Sequence, residues 1–338
     1  MPAIGVMLPH RLPIDRLLEL SMRAEEVGLD EVWVVEDCFW GGGISTAALV
    51  LAHTSVIRVG IGILPGVARN AAFTAMEFAT LENARPGRLI PGIGHGMPDW
   101  MAQVGESRES PLAALEQTIG AVRSLLAGDT VTASGRYVRL DGVRLEFPPA
   151  GKLPVLAGVR GPRSLELSGR VADGTILAEP ASVAYVKWAR EKIDAGRASA
   201  NRTDHHRIVT FNLFSADSDA SVAIESVGSN LSGILNASTN RAQLVTLPFA
   251  DELLLTLQRA SSQGQLPRLP EEWVVQLAIA GTEIDCADRI GALAGAGVDS
   301  CVLVPPDEGR EIDTIVSAGD VARRVRSNET ARGRRAIA

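Results

Sequence analysis

Aromatic residues are scarce in this chain. They make up 4% of its 338 positions, against 46% for hydrophobic residues as a whole, so the core must be built from aliphatic side chains. Cysteine is nearly absent. Cys38, Cys286 and Cys301 are odd in number and widely scattered, which argues against a disulfide framework and against the paired spacing of a zinc site. A reducing cytoplasm is the compartment such usage fits. No apolar run approaches the roughly 20 residues that a membrane helix needs. The opening MPAIGVMLPH has neither the basic segment nor the cleavage pattern of a signal peptide. Positive charge is short as well: the net charge is −7, which gives no electrostatic footprint for nucleic acid. The one basic patch is the arginine-rich end, and residues 326–338 read as a solvated tail. Histidines and carboxylates nowhere fall at metal-ligand spacing, so no metal is expected.

What the chain does have is alternation. Residues 57–101, IRVGIGILPGVARNAAFTAMEFATLENARPGRLIPGIGHGMPDWM, read as strand, loop, helix, tight turn, strand and glycine-rich loop. Two buried strands around one helix form a βαβ unit with parallel strands, and the loops after both strands lie on the same rim of the sheet. Ligands bind on that rim. Gly60, Gly62, Gly92, Gly94 and Gly96 make room there for something large and flat. The glycines alternate and lack the G-x-G-x-x-G spacing of a dinucleotide fingerprint.

The same rhythm covers the chain. Residues 4–8, 31–35, 57–63, 89–93, 155–159, 174–178, 207–214 and 298–304 read as strands. Helical periods occupy 15–27, 45–53, 74–84, 112–127, 163–171, 183–200 and 283–294. A small hairpin is expected before Pro154, with turn signals at Ser134-Gly135 and Asp141-Gly142. Eight strands alternating with helices predict one α/β domain over residues 1–325, a closed (β/α)8 TIM barrel, with an open doubly wound sheet as the rival. The gap between the seventh and eighth strands is too long for one helix. Residues 218–276 read as a helical insertion on the ligand rim, suited to a lid or a dimer contact.

RVGIGIL, ATLENARPGR and LIPGIGHGMPDW resemble the bacterial luciferase-like monooxygenase superfamily. Within it they look most like the deazaflavin (coenzyme F-420) dependent oxidoreductases, such as methylenetetrahydromethanopterin reductase and glucose-6-phosphate dehydrogenases of that type. The resemblance implies a bulge at Gly62, Ile63 and Leu64, with a non-prolyl cis peptide, that backs the deazaflavin ring. It implies that the cofactor phosphate sits at RGPRS, which is Arg160, Gly161, Pro162, Arg163 and Ser164. That motif also reads from the residues alone: Pro162 suits a first helical turn, and the N–H groups of Arg163 and Ser164 would face an anion. Simple helix capping is the alternative.

The other candidates follow the same rim. Asp37 matches the Asp of an Asp-His pair in the resembled dehydrogenases, while Cys38 replaces the His. Met97 stands where they carry an acidic residue and is placed in the cofactor set. Asp37 and His95 are the expected catalytic residues, and His10, Cys38 and Trp100 the expected substrate pocket. His53, His205 and His206 read as surface or packing residues. The expected function is hydride transfer between the deazaflavin C5 and a small organic substrate, in a cytoplasmic homodimer without nucleic-acid or membrane partners. Two alternatives stay open: an FMN-dependent luciferase-like monooxygenase, and a barrel that binds cofactor without turnover.

Overall fold

Apolar runs without polar alternation become parallel strands covered on both faces. Glu31–Val34, Leu89–Gly94 and Ser300–Val304 are buried at every position. The computed structural model describes residues 1–306 and 309–337, with the side chains of 329–337 left aside. In chain order, β1 (Ala3–Met7), α1 (Ile14–Glu26), β2 (Glu31–Val34), α2 (Gly43–His53), β3 (Arg58–Pro65), α3 (Ala71–Ala84) and β4 (Leu89–Gly94) alternate strictly. Helices α4 (Pro98–Gln103) and α5 (Pro111–Leu126) precede an antiparallel hairpin, β5 (Val131–Ser134) and β6 (Arg139–Val143). Alternation resumes with β7 (Leu156–Gly158), α6 (Pro162–Val171), β8 (Gly174–Leu177), α7 (Val183–Ser199) and β9 (Arg207–Ala216). Four helices follow: α8 (Ala220–Ile234), α9 (Arg241–Leu244), α10 (Ala250–Ser262) and α11 (Glu271–Leu277). The chain then adds β10 (Ile279–Gly281), α12 (Glu283–Gly295), β11 (Ser300–Val304) and α13 (Glu311–Ile337).

The strand order β11-β1-β2-β3-β4-β7-β8-β9 closes on itself, because β9 pairs with both β8 and β11. The fold is therefore a (β/α)8 barrel, and the open sheet is excluded. Short β10 pairs with the far end of β9, beyond the ring. Inside the barrel, Trp33 and Phe211 meet edge to face with centroids 5.4 Å apart. Gly60 makes room for the indole: a Cβ there would lie 2.2 Å from the Trp33 ring. At the amino ends of the strands, fully buried Glu31 receives the Trp33 indole N–H, Arg207 and the Ser300 hydroxyl, and pairs with Arg58. One carboxylate thus fastens the starts of β2, β3, β9 and β11.

Several boundaries differ from the sequence reading. α3 begins at Ala71, because the Asn70 side chain accepts the Ala72 N–H as a cap. Asp141-Gly142 lies within β6, where a register shift absorbs the glycine, so the hairpin has its turn only after Ser134. The expected break at 325/326 falls inside α13, and Arg326 donates to the Gly28 carbonyl and pairs with Asp30. That helix turn is docked on the barrel.

Candidate active site at the carboxyl ends of the strands

The ring of strands aims its loops at one mouth. The loop after β2 carries Glu36, Asp37 and Cys38. Glu36 is structural: its carboxylate accepts the Gly43 N–H at the start of α2 and pairs with Arg69 at 2.7 Å. Asp37 stands 3.5 Å from His10 Nδ1, of the loop after β1. Burial raises the Asp37 carboxyl above the usual range, while His10 and Arg11 act against the rise. Burial, with the charges of Glu36 and Asp37, raises the Cys38 thiol too, which keeps it protonated. Trp40 packs edge-on to His10 at 4.8 Å and to Trp100 of α4 at 6.3 Å, with Arg11 over its face at 5.3 Å. The three expected pocket residues, His10, Cys38 and Trp100, therefore share one wall with Asp37 and with Trp40, which the sequence reading passed over.

The opposite wall is backbone. β3 and β4 keep register up to Ile61 and Pro91 and lose it between Ile61 and Leu64. Pro91 has no N–H to continue the ladder, and the bulge follows at once. The Gly62–Ile63 peptide is cis, as are Cys38–Phe39 and Glu179–Pro180, all on this rim. The Ile63 side chain lies across glycines of the next strands: a Cβ on Gly158 would be 2.4 Å from Ile63 Cγ2, and one on Gly94 2.9 Å from Cδ1. The bulge thus lays the Ile63 side chain against the glycine backbone of β4 and β7.

Beside this bulge starts α6. Its N-cap is Gly161, Pro162 occupies the first turn, and no side chain caps it. A Cβ on Gly161 would meet nothing within 4 Å, so the approach is open. The positive end of the helix dipole, with Arg160 and Arg163 alongside, suits a phosphate. His95 Nε2 and Ser164 Oγ are 3.3 Å apart, which ties the loop after β4 to this helix. Burial lowers the His95 pKa, so its imidazole is neutral at pH 7 and serves as a hydrogen-bonding group. Met97 is the N-cap of α4 and 43% exposed, at the outer edge of the mouth. These residues fit a flavin-like ring with a ribityl phosphate.

Glu179 was not found from sequence. It follows β8 as Asp37 follows β2, and burial, with the Asp37 charge, raises its pKa while Arg160 opposes the rise. Its signal was position alone: an acid just past a buried strand. Away from the rim, His53 and His205 are exposed, and His206 is buried against Thr175. Among the described residues no cluster of His, Cys, Asp and Glu could hold a metal ion. No described helix is long and apolar enough to cross a membrane.

Comparison with known proteins agrees with this geometry. The family model described as luciferase-like monooxygenase matches residues 2–300. The chain is 29% identical over 300 residues to 5,10-methylenetetrahydromethanopterin reductase of Methanolobus tindarius, covering 87% of this chain and 91% of the relative. It is 28% identical to a coenzyme F-420-dependent glucose-6-phosphate dehydrogenase of Amycolatopsis mediterranei, covering 87% and 90%. The coenzyme F-420-dependent tetrahydromethanopterin reductase of Methanopyrus kandleri superposes with a TM-score of 0.79 over 94% of this chain and 97% of that one, at 22% identity.

Proposed function

Because the chain belongs to the luciferase-like monooxygenase family, we propose that it is a coenzyme F-420-dependent oxidoreductase acting on a small organic substrate. The observation that carries this reading is the pairing of the β3–β4 bulge between Ile61 and Leu64 with the uncapped, arginine-flanked start of α6. The first would back the deazaflavin ring, and Arg160, Gly161, Pro162, Arg163 and Ser164 would hold its phosphate. The cofactor supplies a carbon that gives or takes a hydride. The protein holds the ring and aims the substrate. The indoles of Trp40 and Trp100 shield the mouth from water. Hydride transfer needs no base, but a reduced acceptor also needs a proton, and Asp37, 3.5 Å from His10 at the rim, is placed to handle it.

The substrate we favour is an activated double bond or similar acceptor. Cys38, held protonated beside Asp37, is a poor proton acceptor for oxidising a sugar alcohol. The protein acts as a homodimer in the cytoplasm. Leu49 of α2 with Phe73 and Met76 of α3, exposed by 40%, 65% and 51%, supports the first point, and three free cysteines support the second. Fluorescence titration tests the cofactor: coenzyme F-420 should bind more tightly than FMN. Equal or tighter FMN binding would overturn the assignment in favour of an FMN monooxygenase. Rapid glucose-6-phosphate oxidation would overturn the substrate reading.

A further inference from the structure

The turn from β7 into α6 is held from three sides by groups outside it. From β8, the Ile176 carbonyl accepts the Val159 N–H at 3.2 Å. From α7, the Tyr185 hydroxyl donates to the Arg160 carbonyl at 2.8 Å. From the loop after β4, His95 Nε2 lies 3.3 Å from Ser164 Oγ. Yet among the described residues none accepts the N–H groups of Gly161, Arg163 or Ser164. The framework of the turn is fixed, and its donors are left over.

The Tyr185 bond is the one that decides which way a peptide faces. The Arg160–Gly161 peptide is trans, so its N–H points away from its carbonyl. Holding the Arg160 carbonyl therefore holds the Gly161 N–H, on the side away from α7. Gly161 has no side chain to resist rotation of that peptide. A flipped peptide would bring a carbonyl to the start of α6, where it would repel an anion. The hydroxyl that prevents the flip is itself well seated. Tyr185 is fully buried, and its ring stacks on Trp188 with centroids 5.9 Å apart. Its N–H is accepted by the Ser182 hydroxyl at 3.1 Å, the cap of α7. The loop before that cap is gripped as well. Gln243 of α9 donates to the carbonyls of Ala178 at 2.9 Å and Pro180 at 3.2 Å, and Asn212 of β9 to that of Ala181 at 3.1 Å. Paired buried amides of this kind have a fixed geometry. Burial also raises the Tyr185 pKa, so the hydroxyl keeps the proton that it donates.

We propose that Tyr185 is a positioning residue of the cofactor site: its hydroxyl locks the Arg160–Gly161 peptide so that an N–H, and not a carbonyl, faces the cofactor phosphate. The proposal rests on the cofactor reading above and deepens it. Tyr185 acts through the backbone, from the neighbouring βα unit. The phosphate end of the cofactor therefore depends on a group that the RGPRS motif does not contain.

Tyr185→Phe removes the hydroxyl alone. Fluorescence titration should show binding of coenzyme F-420 weakened by about three- to tenfold, the scale of one hydrogen bond. Binding of the same ribityl deazaflavin without its phosphate should stay within about twofold. A loss shared equally by both ligands, or by neither, would overturn the proposal. Nitrogen-15 NMR of native protein labelled at glycine gives a second measurement, independent of how the variant folds. The Gly161 signal is assigned by its loss in Gly161→Ala. It should shift when coenzyme F-420 is added and stay in place with the phosphate-free deazaflavin. A Gly161 signal that ignores the phosphate would also overturn the proposal. Failure of the native protein to bind coenzyme F-420 would sink the cofactor reading instead. FMN and riboflavin, which differ by the same phosphate, would then decide the role of Tyr185.

Discussion

At the scale of single residues, Asp37 and Gly158 make opposite predictions. Asp37 should matter to chemistry and little to binding. Asp37→Asn keeps the shape and removes the titrating oxygen, so turnover should fall by roughly 10²-fold with cofactor affinity nearly unchanged. Steady-state rates beside a fluorescence titration check both halves, and unaltered turnover would remove Asp37 from the mechanism. Gly158 should matter to shape. A methyl there would press on Ile63 Cγ2 at 2.4 Å, and Ile63 is already seated against Gly92 and Gly94 and cannot slide away. Gly158→Ala should cost about 1–3 kcal/mol by overpacking, lower the melting temperature and weaken deazaflavin binding by shifting the bulge. A melt and a titration identical to wild type would show that the bulge is softer than its contacts imply.

At the scale of elements, the start of α6 is the sharpest case. Arg163→Glu reverses a charge beside an uncapped helix N-terminus. Cofactor affinity should drop about tenfold or more at low ionic strength, and the gap should shrink as salt rises. A salt-independent effect would mean that the side chain acts by packing. This element was legible because Pro162 suits a first helical turn and the helical period of residues 163–171 follows it. The eight barrel strands were legible because each is a short apolar run with a turn signal after it. What escaped the sequence was too short or too ordinary to carry a period. α4 has six residues and β10 three, less than two turns and two alternations. Asn70 capped α3 earlier than the apolar pattern showed. Glu179 escaped because an acid before a proline is no motif, and only barrel closure sets it opposite Asp37.

At the scale of the whole molecule, Asp173 shows how acid should act on stability. It is buried, and although burial raises its pKa, Arg123, the Val155 N–H and Lys152 together hold it below the ordinary carboxylate value. The folded pKa lies below the unfolded one, so the stabilisation is present above about pH 4 and is lost as pH falls through the folded value. Asp173→Asn should be less stable at neutral pH by about 3 kcal/mol, the scale for unmaking a buried ion pair. It should also lose less stability than wild type between neutral and strongly acidic pH in denaturant titrations. Parallel curves for the two proteins would assign the acid sensitivity elsewhere. The outer faces of α2 and α3 make a prediction about assembly: Phe73→Asp should convert a sedimenting dimer to monomer with turnover retained in dilute solution. A native protein that sediments as a monomer would refute the dimer outright.

The barrel is closed by its two ends. β1 pairs with β11 from Ala3 against Ser300 to Val6 against Leu303. A ribosome adding about 5–20 residues per second would take roughly 15–60 s to travel from the first of those strands to the last. Through that interval the outer edge of β1 has no neighbour of its own chain, and an unpaired apolar edge is a template for a stranger. The newborn protein is therefore most vulnerable to mispairing while it is still being made, and slower translation should lengthen the period in which it needs a chaperone.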